Sequence, residues 1–137
     1  MVKPYRILLA DDQPVIRECV RMILAERSDL QVIGEVGDGL ELLRLLDEGP
    51  VRPDMVILDI SMPVVQGIEA ARRIRERFPS VKILILTVHA EKPYLLQALA
   101  EGVAGFLLKQ DAFAELLPAV RSVRQGKRYI SQQVSGL

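Results

Sequence analysis

The chain has 137 residues, half of them apolar and 26% charged, with 18 basic and 18 acidic side chains. That size suits one domain around one core, and the balanced charge gives no broad basic field for holding nucleic acid. No apolar run could span a bilayer, the N-terminus lacks a secretory layout, and the one cysteine has no internal disulfide partner, so a cytoplasmic protein is expected.

The first apolar run, RILLA at 6–10, ends in Asp11 and Asp12. Pro14 then opens a helix, where its missing N–H does no harm, and Val15, Ile16, Cys19, Val20, Ile23 and Leu24 recur at helical spacing. QVIGEV at 31–36 is the second run. Asp38 stands where a helix cap belongs, with Leu40, Leu43 and Leu46 inside that helix and Gly49-Pro50 as its stop. The third run, MVILDI at 55–60, carries Asp59 within it, and a helix is predicted from about Gly67 to Phe78. KILILT at 82–87 ends in Thr87, and the next helix runs from near Pro93 to Gly102. GFLLK at 105–109 ends in Lys109, and the last helix runs from about Ala112 to Gln125, stopping at Gly126. Residues 127–137 have no clear core partner and read as a linker or tail.

Three of the five runs are almost unbroken Ile, Leu and Val, the mark of strands buried on both faces. The expected architecture is α/β, a doubly wound five-stranded parallel sheet of (βα)5 type. Only an order that places the first and third strands side by side brings Asp11, Asp12 and Asp59 together. That junction is also where the winding reverses, the usual ligand crevice of such sheets.

A strand core has no use for a charge unless the charge is paired or has a task. Asp11, Asp12, Asp59, Thr87 and Lys109 all end or interrupt apolar runs, so they share one edge of the sheet. Carboxylates, a hydroxyl and an ammonium at one point suit phosphoryl chemistry. A hard cation takes oxygen ligands, while the ammonium and hydroxyl offset charge on phosphoryl oxygens.

LLADD, ILDISMP, LT and FLLK, in that order and spacing, resemble the receiver domain of two-component response regulators over roughly residues 4–126. The resemblance implies a flavodoxin-like fold with strand order 2-1-3-4-5 and a receiver domain over 1–126. It implies that Asp59 accepts a phosphoryl group from a sensor histidine kinase. Asp12, Asp59 and the Ser61 backbone carbonyl would ligate Mg2+ or Mn2+ directly, with Asp11 acting through a coordinated water. Lys109 would contact the phosphoryl group, and Thr87 and Phe106 would form the switch pair. GFLLKQDA followed by ELLPAVRSVRQGKRYIS further resembles the NarL/FixJ subfamily, in which a linker leads to a LuxR-type helix-turn-helix. This implies transcription control in a parent protein, with DNA held only by a C-terminal domain outside this chain. It leaves homodimerisation on phosphorylation open and implies no membrane contact. Three positions depart from the family pattern: Gln110 where proline is frequent, Val88 where Ala or Gly is frequent, and Phe106 where tyrosine is common. Val88 is expected to hinder water attack on the phosphoryl-aspartate.

Other readings stand beside these. Asp11 and Asp12 could cap the first helix, Lys109 could be a solvated charge and Thr87 an ordinary strand end. GEVGDG at 34–39 lacks the GxGxxG spacing and reads as a turn before a helix. Cys19 reads as a small buried hydrophobe, His89 as a surface loop residue with a minor influence on water access to the phosphate left open, and Met62-Pro63 as the turn that holds the loop after Asp59. Arg72, Arg73, Arg75 and Arg77, with Glu69 and Glu76 among them, read as a solvated helix face, with kinase docking or dimer contacts open. Leu95, Leu96 and Leu99 read as partly core, with any exposed remainder a partner surface. Two other functional classes compete. One is a Mg2+-dependent phosphohydrolase, weakened because Ser61 stands where haloacid-dehalogenase-type enzymes want an acid. The other is a pseudo-receiver interaction module, weakened by the complete acid set. The chain is expected not to be an enzyme beyond phosphorylating and dephosphorylating itself.

Overall fold

The computed structural model describes residues 3–50 and 52–135. Residues 1, 2, 51, 136 and 137, which fall in the expected domain and tail, lie outside the described residues. The elements are β1 (Tyr5–Ala10), α1 (Pro14–Leu24), β2 (Leu30–Val36), α2 (Gly39–Glu48), β3 (Met55–Leu58), α3 (Gly67–Arg77), β4 (Lys82–Thr87), α4 (Lys92–Ala100), β5 (Gly105–Leu108), α5 (Ala112–Arg124), β6 (Tyr129–Ile130) and α6 (Gln132–Ser135). A 3-10 turn, Lys109–Asp111, joins β5 to α5. All strands are parallel, in the order β2-β1-β3-β4-β5-β6. The predicted order 2-1-3-4-5 is observed, with a sixth strand added.

Side chains alternate across the sheet with period two, and each face has its own core. Ile7, Leu9, Ile57, Leu84 and Leu86 pack against α1 and α5 through Val20, Ile23, Leu116, Val120 and Val123. Leu8, Ala10, Val56, Leu58, Ile83 and Ile85 pack against α2, α3 and α4 through Leu42, Leu46, Ala70, Ile74 and Ala98. Burial on both sides is why β3 reads as an unbroken apolar run, with all four of its residues buried.

Helix ends follow local chemistry. Asp38 accepts from Glu41 N at 2.8 Å, and the Glu41 carboxylate accepts from Gly37 N at 3.1 Å. This reciprocal cap, worth about 1 kcal/mol, accounts for the GEVGDG string as the turn it was predicted to be. Gly102 takes φ 76° after α4, a conformation that glycine adopts without a steric penalty.

Three expectations are corrected. The stretch after Gly126 does have a core partner: Tyr129 and Ile130 pair with Gly105 and Phe106, and Ser131 and Val134 are fully buried. A two-residue strand is too short to show a period, so its pairing depends on groups distant in sequence. Cys19 is half-buried rather than buried, and Val15 is 69% exposed because it lies on the first turn of α1, away from the sheet. Leu95 is buried while Leu96 is exposed, as a partly core helix requires. Among the described residues, no helix is long and apolar enough to cross a membrane.

Candidate functional site

Because β1 lies between β2 and β3, both of its ladders run one step past the strand ends. Asp59 N donates to Ala10 O at 3.0 Å, and Asp11 N donates to Val36 O at 3.1 Å. The two ladders thus fix the backbone of both acids before their side chains do anything. Asp11 and Asp59 are 6% and 3% exposed, and Asp12 is exposed. Carboxylate oxygens of Asp11, Asp12 and Asp59 lie within 4.8 Å of one another.

Lys109 enters this group from the turn after β5. Its Nζ lies 2.8 Å from Asp11 Oδ2 and 3.2 Å from Asp59 Oδ2, with the side chain 8% exposed. It also donates to Gln13 Oε1 at 2.8 Å, besides its hydrogen bond to Asp59 Oδ2. Three carboxylates against one ammonium leave a formal charge of −3 + 1 = −2 at the site. Burial, then the neighbouring Asp11, raises the Asp59 carboxyl above its ordinary value, while Lys109 and the Ser61 N–H pull it down. An oxygen-only donor set with surplus negative charge fits a small hard cation such as Mg2+.

The two acids do not cap α1. Asp11 Oδ1 accepts from Gln13 N at 2.9 Å, a local turn, and the capping position is Gln13, with no side-chain bond. The turn is pinned by Arg17, which donates to the Asp11 carbonyl at 2.5 Å and to Glu35 Oε1 at 3.1 Å. On the other side, Gly67 N donates to Ile60 O at 2.8 Å. A Cβ at Gly67 would lie 2.1 Å from the Asp59 carbonyl oxygen, so only glycine lets α3 start this close to the acid. Met62 is buried and Val64, in the same loop, has φ 68°.

Thr87 and Phe106 are fully buried on adjacent strands, paired with Leu108 and Ile85 respectively. Thr87 Oγ1 accepts from His89 N at 3.2 Å. His89 is more than a loop residue: its Nε2 is 2.6 Å from Ser61 Oγ, and its ring stacks on Tyr94 at 4.4 Å. The loops after β3 and β4 are thereby tied together above the strand ends. Val88 is 67% exposed beside them. The four arginines of α3 are engaged as a solvated face: Arg72 and Arg73 with Glu69, Arg72 also with Glu76, Arg75 with Glu101, and Arg77 with Asp47.

Asp11, Asp12, Asp59, Ser61, Thr87 and Lys109 therefore lie at the C-terminal ends of the strands, while Phe106 is buried within β5. Gln13, Arg17 and the Ser61–His89 pair escaped the sequence. Gln13 directly follows the two acids, which is a weak signal, but its partner lies 96 residues away.

The sequence profile of the response regulator receiver domain matches residues 7–121. The chain belongs to this family. The oxygen regulatory protein NreC of Staphylococcus epidermidis is 39% identical over 131 residues, covering 95% of this chain and 59% of the relative. The transcriptional regulatory protein DegU of Brevibacillus brevis is 36% identical over 130 residues, covering 95% of this chain and 54% of the relative. A LuxR-family two-component response regulator from Aurantimonas superposes with TM-score 0.90 at 34% identity, over 98% of this chain and 94% of that one. The isolated receiver of RcsB from Salmonella enterica serovar Typhimurium, solved with the phosphomimetic BeF3-, superposes with TM-score 0.89 at 29% identity, over 97% of each chain. The receiver chain spans between 54% and 60% of the length of the curated relatives it matches.

Proposed function

We propose that this receiver is a phospho-accepting switch in which Asp59 takes a phosphoryl group from a sensor histidine kinase. The carrying observation is the convergence of Asp11, Asp12, Asp59 and Lys109, with Lys109 Nζ 2.8 Å from one buried carboxylate and 3.2 Å from the other. An Asp59 oxygen attacks phosphorus, the new O–P bond forms as the P–N bond to the donor imidazole breaks, and the electron pair leaves on that nitrogen. A loose transition state asks mainly for positioning and charge neutralisation, so a carboxylate held by the β1–β3 ladder suffices as nucleophile. Lys109 follows the charge from the Asp59 carboxylate to the phosphoryl oxygens. Asp12, Asp59 and the Ser61 carbonyl would hold Mg2+ or Mn2+ directly, with Asp11, already engaged by Lys109, acting through water. The bound cation supplies neutralisation between these acids and the incoming phosphoryl oxygens.

The readout we assign to Thr87 and Phe106. The phosphoryl oxygens draw the Thr87 hydroxyl inward, away from His89 N, which vacates space that Phe106 can fill. A local charge biases a two-state element. Its relatives are transcriptional regulatory proteins, and RcsB has been solved as dimers on DNA. Transcription control through a domain outside this chain, with dimerisation on phosphorylation, is the parent role we assign.

The test is incubation with acetyl phosphate and Mg2+, followed by intact mass and peptide mapping. One phosphoryl per chain on Asp59 is expected. Multiple turnover would instead favour a phosphohydrolase, and absence of modification a phosphorylation-independent module. Labelling of Asp59 that persists in excess chelator would refute the cation requirement.

A further inference from the structure

Without β6, the outer edge of β5 would present a row of unpaired backbone groups. It carries residues 129–134 instead. Tyr129 N donates to Ala104 O and Ser131 N to Phe106 O, both at 2.9 Å. One carboxylate collects both hydroxyls of the segment: Tyr129 OH donates to Glu115 Oε1 at 2.9 Å and Ser131 Oγ to Glu115 Oε2 at 3.1 Å. Burial, with Glu115 beside it, raises the Tyr129 phenol above its ordinary value. Val134 is buried in the apolar cluster that contains Phe106, and Ile130 packs against that cluster. Gln133 accepts from Gln110 at 2.9 Å and donates to Asp111 at 3.4 Å, the two residues that follow Lys109.

The segment therefore touches both ends of the readout: the backbone and core around Phe106, and the turn that carries Lys109. A close-packed interior does not let one member move while its neighbours stay. Phe106 is fully buried while the segment is docked. Two events that favour the same placement of Phe106 must strengthen one another by equal factors.

We propose that the β5 edge is a docking surface for residues 129–134, and that its occupancy is reciprocally coupled to the phosphoryl load on Asp59. Phosphorylation tightens the docked segment, and the docked segment favours phosphorylation. This rests on the reading of Asp59 as acceptor and Phe106 as its switch partner. The junction after α5 is then an output element of the receiver, and Glu115 is its anchor.

The experiment is amide hydrogen exchange by NMR on the whole chain, with and without beryllofluoride and Mg2+. Protection of the Ser131 amide is expected to rise about tenfold relative to that of Val56 in the central strand, within the usual range of coupling factors. Reciprocally, Val134→Ala and Tyr129→Phe are expected to weaken beryllofluoride affinity about fivefold. Should Val134→Ala also loosen β3 amides, Tyr129→Phe carries the test, since it removes a single hydroxyl. Loaded Asp59 with unchanged Ser131 protection overturns the proposal, as do variants that bind beryllofluoride as tightly as the wild type. If Asp59 does not load at all, the acceptor reading itself fails, and the coupling with it.

Discussion

Replacing Asp59 by asparagine is expected to stabilise the cation-free protein at neutral pH. Asp59 is 3% exposed and its carboxylate lies within 4.8 Å of Asp11. At an effective dielectric near 20, that repulsion is about 3 kcal/mol, and withdrawing the charge from water costs several kcal/mol more. The pull of Lys109, 3.2 Å away, offsets about 5 kcal/mol on the same scale. An amide oxygen retains part of that contact. The net gain on removing the charge is then about 1–3 kcal/mol, which raises Tm by about 3–10 °C in a domain of this size. Thermal unfolding followed by circular dichroism, in chelator, reads it directly. The pH dependence carries the sign. The Asp59 carboxyl is raised in the folded state, so in the window above the ordinary carboxylate value the folded chain holds more protons than the unfolded one. Stability therefore falls as pH rises through that window. The advantage of Asp59→Asn should be full above the raised value and gone below the ordinary one. A variant no more stable than the wild type at pH 7, or a gain undiminished near pH 3, would refute the reasoning.

Other outcomes follow from single contacts. Gly67→Ala places a methyl 2.1 Å from the Asp59 carbonyl oxygen and 2.7 Å from Ile60 Cα. A loss of about 3 kcal/mol in urea unfolding is expected, together with loss of phosphoryl acceptance. Val64→Gly relieves a β-branched residue at φ 68° and is expected to raise stability by about 1 kcal/mol after the glycine entropy cost, seen as a higher urea midpoint. Val88→Ala is expected to shorten the life of phosphoryl-Asp59 two- to tenfold, a barrier change of order 1 kcal/mol. The decay of the modified mass after donor removal measures it, and equal or slower loss in the variant contradicts the shielding role of Val88.

The parts of this receiver that follow from local pattern were readable in its sequence. Both-face burial writes itself as unbroken Ile, Leu and Val, which located β3 and β4. Asp59 stood out because a charge in such a run demands a reason, and Asp38 because a cap precedes its helix. Gln13 was not readable in the same way, since one exposed glutamine beside two acids acquires meaning only when Lys109 arrives from the far side of the sheet. His89 likewise gained its place from Ser61 and Tyr94. Tyr129, Ile130 and Val134 carry no period long enough to announce a strand. Their burial is written in Glu115 and Phe106 rather than in themselves.

The sixth strand also bears on where this domain can be cut. The family profile ends at residue 121, and trimming the chain there would strip Tyr129 and Ile130 from β5. The amide and carbonyl groups they satisfy would face solvent on a strand of four apolar or small residues, GFLL. Bare edges of that kind recruit other strands. A receiver shortened to its family boundary should therefore gain a tendency to self-associate that has nothing to do with signalling. Keeping the chain through Ser135 keeps that edge closed.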